Sequence, residues 1–250
     1  GLRQLGHELL AQRSQINILL SHGHWDHIQG YPFFSPIYQR DRSINVFTSN
    51  ASGHKLLCSL FDQMDGFNFP LNYEDLPSNS ECIYKSAEVF LHERDIHITK
   101  KPLNHPGGGT AYRIEDEGTT CAYITDNELD PPYKVHTRYD EWVDFCADVD
   151  VLIHDAQYTE DDMPHKHGWG HSLISQVRQL AIDAQVKTLV LFHHDPDRTD
   201  AELDEIQIEN EHFFRRHYDN NRSYCAAEGM QIHLTKPIAG GDTVIEVTAR

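Results

Sequence analysis

The sequence predicts an α/β layered fold in one continuous domain. Two observations carry the expectation. Short apolar runs that read as strands alternate with amphipathic stretches that read as helices, and no repeat, low-complexity tract or clear linker interrupts them. With 250 residues, 39% of them hydrophobic, the chain can bury a sizeable core.

The elements follow in order. Residues 2–12 read as a short helix and Ile16 to Leu20 as a buried strand. That strand runs into Ser21-His22-Gly23-His24-Trp25-Asp26-His27, where the chain is expected to turn into a helix. Ile44 to Thr48 reads as a second strand, and 53–63 as a helix with Leu56, Leu57, Leu60 and Phe61 on one face. Residues 66–80, rich in Pro, Asn and Ser, read as a loop, with weak strands after it at 88–91 and 95–99. Thr110 to Ile114 and Thr119 to Thr125 read as a hairpin around the turn 115–118. Helices are predicted over 138–147, Ser172 to Ala184 and Thr199 to His217, and buried strands over Val149 to His154 and Leu189 to Phe192. Strands near 230–234 and 243–248 close the chain.

Composition narrows the function. Lys and Arg number 21 against 39 Asp and Glu, a net charge of −18 with histidine neutral. That balance argues against binding an extended nucleic acid through its phosphates, while a local cationic centre can still hold a small anion. No apolar run reaches the roughly 18 residues of a membrane helix. No signal-peptide pattern opens the sequence. Five cysteines, odd in number and without a CxxC pair, read as reduced thiols of a cytoplasmic protein.

Histidine is the unusual residue, 18 in all, and many fall in short clusters. His22, His24, Asp26 and His27 lie within six positions of one another, directly after an apolar strand. On a loop, side chains at i and i+2 can share one metal, while Asp26 and His27 can aim at a second point nearby. Neutral imidazole and carboxylate suit zinc, and also manganese or iron. His165 and His167 sit in a charged loop and read as solvated. Tyr31, Phe33, Phe34 and Tyr38, and likewise Tyr133, Trp142 and Trp169, read as core or lid packing.

The run His-x-His-x-Asp-His resembles the signature of the metallo-β-lactamase fold superfamily, and later motifs follow in the superfamily's order. These are Asn104-His105-Pro106-Gly107-Gly108, Tyr123-Ile124-Thr125-Asp126 and Phe192-His193-His194-Asp195-Pro196. The resemblance implies an αββα four-layer sandwich of two mixed sheets, with metals at one edge and the family's first strands absent before Gly1. It implies a hydrolase domain over 1–235, with 236–250 an extension that reads either as an added strand or as the start of a lost domain. It places His22, His24 and His105 on a first divalent ion, Asp26, His27 and His193 on a second, and Asp126 between them. Zinc is the expected metal. His193 is preferred to His194 because it leaves the strand end. Asp126 stands where common zinc β-lactamases carry cysteine, and His24 where flavodiiron proteins carry glutamate.

His154-Asp155-Ala156 and Gly168-Trp169-Gly170-His171-Ser172 resemble the ribonuclease Z and phosphodiesterase branch. They make Asp26, His171 and Asp155 the candidate catalytic residues, His171 as proton donor or oxyanion partner and Asp155 as its orienter. The plain alternative for His171-Ser172 is a helix cap. The function implied is hydrolysis of a small anionic phosphodiester, such as a cyclic nucleotide, by a water activated between two ions. Other readings are a transfer-RNA 3′-end endoribonuclease, a thioester hydrolase of glyoxalase II type and, weakest, a metal sensor without turnover. Residues 128–162 are acidic and offer no basic arm for transfer RNA. A homodimer is left open.

Overall fold

The computed structural model describes residues 1–48, 59–83, 87–217, 222–236 and 241–248, with backbone alone for 81–83 and 217. The chain divides into two compact units, Gly1–Arg94 and Asp95–Arg250. No helix among the described residues is long and apolar enough to cross a membrane.

In the first unit, helix α1 (Leu2–Leu9) precedes strand β1 (Ile16–Leu19). Strands β1, β2 (Ser43–Phe47) and β3 (Asn79–Ile83) form a parallel sheet in that order. Central β2 buries Ile44, Val46 and Phe47 completely. Strand β1 is half-buried where a buried strand was expected, because β2 alone pairs with it among the described residues. Helix α2 (Trp25–Ile28) follows with His24 as its N-cap, then 3-10 turns at Tyr31–Phe33 and Ser35–Tyr38. Leu20, Ile28, Tyr31, Phe34 and Ile37 pack with β2 into one core.

Two expectations change here. Strand β3 begins inside the stretch read as a loop. Its polar sequence carries little strand signal, and pairing with β2 from Ser43↔Asn79 to Phe47↔Ile83 makes it a strand. Residues 88–91 lie in helix α3 (Ala87–His92), not a strand. Ala87 and Leu91 are buried four positions apart, a helical spacing that so short an apolar run does not declare. Of the helix read over 53–63, residues 59–62 are helical and Leu60 and Phe61 are buried. Leu56 and Leu57 lie outside the described residues.

The second unit holds a six-stranded sheet in sequential order. Strands β4 (His97–Pro102), β5 (Thr110–Asp116) and β6 (Thr119–Ile124) pair antiparallel. Strands β7 (Val151–Asp155), β8 (Thr188–Phe192) and β9 (Arg222–Cys225) continue it in parallel. The β5–β6 turn has positive φ at Glu117 (47°) and Gly118 (75°), a two-residue reversal that matches strand twist. Thus the second sheet is mixed as expected, and the first is wholly parallel. Strand β9, four residues long, was not anticipated. Helices α4 (Tyr139–Cys146), α5 (Ile174–Asp183) and α6 (Asp200–His217) supply Trp142, Val177, Leu180 and Phe214 to a core with Leu152, Leu189 and Leu191. Strands β10 (Gln231–Thr235) and β11 (Val244–Thr248) form a separate antiparallel pair.

Strand direction positions the chemistry. Strands β4, β6, β7 and β8 all run the same way, so their C-terminal ends share one edge of the sheet. At that edge the chain carries His105 after β4, Asp126 after β6, Asp155 at the end of β7 and His193 after β8. Ligand-bearing groups in open α/β sheets collect at such carboxyl ends.

Candidate metal and acid–base site

Asp126 is the hub in the second unit. It is buried, with 2% of its surface exposed, so its charge needs close partners. The Thr125 hydroxyl donates to its Oδ1 at 2.5 Å. His193 Nε2 lies 3.4 Å from the same Oδ1, and His105 Nε2 lies 3.7 Å from Oδ2. Each carboxylate oxygen therefore faces its own imidazole nitrogen. Donors on one tetrahedral zinc, at about 2.0–2.2 Å from it, are about 3.3 Å apart. The donor set and its spacing fit divalent metal.

Local backbone enforces this arrangement. Asp126 (φ 49°) and His193 (φ 57°) both leave their strands in the left-handed region, which costs a residue with a Cβ roughly 1 kcal/mol or more. His105 Nδ1 donates to the Gly170 carbonyl at 3.0 Å, which leaves Nε2 as the ligand nitrogen. Gly170 has φ +96°, and a Cβ there would lie 2.2 Å from His105 Nδ1. Only glycine lets that carbonyl reach the ring.

His171 joins the same edge. Its Nδ1 donates to Asp155 Oδ2 at 2.7 Å, and its ring stacks on His193 with centroids 5.0 Å apart. Asp155, fully buried, also accepts the backbone N–H of Asn127 at 3.0 Å and of Gln157 at 3.1 Å. Burial alone would lower the His171 pKa. The hydrogen bond and charge of Asp155, with Asp126 and Glu128 adding, outweigh it and raise the pKa above its ordinary value. Helix α5 begins at Ile174 with Leu173 as its N-cap, so neither His171 nor Ser172 serves as the cap. Ser172 donates instead to the Asn127 carbonyl.

The first unit gathers the other set. His22 is buried, with Nδ1 3.2 Å from the Ser21 hydroxyl. Its ring centroid lies 4.7 Å from that of His24 and 4.2 Å from that of His27. His27 Nε2 is 3.1 Å from Asp26 Oδ2. His24 and Asp26 are exposed, on the N-cap and first turn of α2.

Several residues that shape the site escaped sequence reasoning. Asn104, fully buried, accepts the N–H groups of His136 and Thr137, and its own N–H donates to Asn127 Oδ1. Glu128, 3% exposed, accepts the N–H groups of Gly168 at 2.8 Å and Gly170 at 3.0 Å. Asn104 opens a named motif without having been given a role, and Glu128 follows another, so polar residues at a buried strand end were the available signal. His165 and His167 are exposed as expected, with His167 Nε2 3.0 Å from the Asp130 carbonyl. His194 is in none of the donor clusters among the described residues, and burial lowers its pKa against a hydrogen bond that it donates to the Ala226 carbonyl. Trp142 is buried as expected, whereas Trp169 is 58% exposed and packs no core.

The sequence profile of the Beta-lactamase superfamily domain matches residues 2–194. This chain belongs to the beta-lactamase superfamily. Within the superfamily it is related to ribonuclease Z. Ribonuclease Z of Picrophilus torridus is 30% identical over 263 residues, covering 88% of this chain and 79% of that protein. Ribonuclease Z of Thermoplasma acidophilum is 30% identical over 125 residues, 48% of this chain and 38% of that protein. The superfamily fold recurs in the metallo-beta-lactamase fold protein YhfI from Bacillus subtilis, with TM-score 0.56 and 16% identity over 86% of this chain and 76% of that one.

Proposed function

We infer that this superfamily member is a metal-dependent phosphodiesterase acting on a small anionic phosphodiester such as a cyclic nucleotide. The His171–Asp155 pair carries the reading, because it stands beside a buried carboxylate whose two oxygens each face a histidine. His22, His24 and His105 would hold one ion, and Asp26, His27 and His193 the other, with Asp126 shared. Zinc suits these donors best. When bound, the ions polarise a phosphoryl oxygen and activate a water.

The chain's own residues do the rest. The Gly170 carbonyl keeps His105 Nε2 toward the metal side. Asp155 holds the Nδ1 proton of His171, which leaves Nε2 to deliver a proton to the departing oxygen. With its carboxylate fixed by two backbone N–H groups, Asp155 acts as the positioning residue. A cytoplasmic location is part of this reading. It is supported by the free thiols of Cys121, Cys146 and Cys225, which burial pushes up to about 11, 12 and 11 and so keeps protonated.

Ribonuclease activity is the second reading, favoured by the ribonuclease Z relatives. The acidic stretch 128–162 speaks against gripping a long RNA. One screen separates the readings. Metal-loaded protein is offered bis-p-nitrophenyl phosphate, cyclic nucleotides, a thioester and a precursor transfer RNA. Chelator-sensitive hydrolysis of the small phosphodiesters is expected. Cleavage of the RNA alone would establish the second reading, and cleavage of the thioester alone would overturn both.

A further inference from the structure

We propose that Trp169 and Lys166 form a subsite for an aromatic ring, a nucleobase, on the leaving side of the substrate. This rests on the phosphodiesterase reading and names the group that reading leaves open. Trp142 shows where an indole goes when packing decides: it is fully buried. Trp169 is instead 58% exposed.

Its exposure is not that of a slack loop. The glycines on either side have positive φ, +88° at Gly168 and +96° at Gly170. Both of their N–H groups are held by the buried Glu128 carboxylate, at 2.8 and 3.0 Å. The Tyr133 hydroxyl donates to the same carboxylate at 3.3 Å. The Trp169 N–H donates to the Lys166 carbonyl at 3.2 Å, and the Gly170 carbonyl receives His105. A buried carboxylate is thus committed to holding a three-residue loop whose central side chain faces water. A large flat surface that is already ordered loses little entropy when a ligand stacks on it.

Position and charge identify the ligand. The Tyr158 ring, whose centroid is 5.7 Å from that of His171, the proton donor to the leaving oxygen, shares the Lys166 ammonium with Trp169, so a ring on the leaving group falls within reach of the indole. Lys166 Nζ lies 4.8 Å from the indole centroid and 5.3 Å from that of Tyr158, and is shared with Asp195 at 3.5 Å. An aromatic face beside an ammonium group matches a base joined to a phosphate. In a chain of net charge −18, a local cation at this point adds to the attraction for an anion.

The test compares two ligands with the same phosphate, adenosine monophosphate and ribose 5-phosphate, by calorimetry on the metal-loaded full chain. The native protein should bind the nucleotide more tightly. Trp169→Ala should weaken the nucleotide about 5- to 150-fold and leave ribose 5-phosphate unchanged. Trp169→Phe should restore most of the loss. Lys166→Ala should weaken both ligands. Circular dichroism and the melting temperature check that each variant folds. Equal affinity of the native protein for the two ligands, binding of neither, or equal weakening of both by Trp169→Ala overturns the subsite. No effect of Lys166→Ala removes the lysine from it. Hydrolysis of bis-p-nitrophenyl phosphate is measured alongside. If hydrolysis persists without base preference, the subsite fails and the phosphodiesterase reading stands; base preference without hydrolysis is the reverse.

Discussion

Gly170→Ala tests the site at its tightest point. A Cβ at this position would lie 2.2 Å from His105 Nδ1 and 2.4 Å from Pro106 Cδ, and the backbone sits at φ +96°. The left-handed backbone costs an alanine about 1–2 kcal/mol. Overlap with two packed groups adds about 1–3 kcal/mol. The larger consequence is local. Relief requires His105 to move, which breaks its bond to the Gly170 carbonyl and turns Nε2 away from Asp126. Loss of such an outer partner typically lowers metal affinity about 10–100-fold. Gly108→Ala is the matched control, because Gly108 has φ +79° and nothing within 4 Å of its would-be Cβ. It should carry the backbone cost alone. Urea unfolding of chelator-treated protein measures stability, and competition with a chromophoric chelator measures zinc affinity. The expected result is a loss of about 2–5 kcal/mol with weakened zinc for Gly170→Ala, against about 1–2 kcal/mol with unchanged zinc for Gly108→Ala. Equal losses in both variants with zinc affinity intact would refute the steric argument.

Three further outcomes are expected. Asp126→Ala should empty the metal site and abolish hydrolysis of every phosphodiester, read by metal analysis; full metal content would remove Asp126 from the ligand set. His171→Ala should keep its metal and lower turnover about 10²–10⁴-fold for a poor leaving group, and less for nitrophenolate. Equal losses for both leaving groups would instead indicate charge stabilisation. His154 is fully buried, and burial pulls its pKa below the ordinary value despite the hydrogen bond and charge of Asp155. The unfolded chain therefore takes up this proton first, so the contribution is fully present above the unfolded pKa and is lost as pH falls through the folded one. His154→Leu should flatten the fall in stability between neutral and mildly acidic pH in urea melts of chelator-treated protein, and an unchanged slope would sink the assignment.

What the sequence by itself determined was the inventory of chemistry and its order along the chain. Strand-like runs ending in His22, Asp126, Asp155 and His193 are local patterns, since each needs only an apolar stretch followed by a polar donor. The β5–β6 hairpin was legible for the same reason. Strands β3 and β9 were not, because their few polar residues become strands only through partners distant in sequence. Residues 88–91 carry an apolar run too short to tell helix from strand until burial of Ala87 and Leu91 decides. At the site, tertiary structure alone decided that β4, β6, β7 and β8 end on one sheet edge. It decided which nitrogen of His105 faces Asp126, through a carbonyl 65 residues away. It likewise assigned Asn104, Asn127 and Glu128 to hold the loops and left Trp169 in water. Long-range hydrogen bonds and burial set these features, and neither is a property of any short stretch of chain.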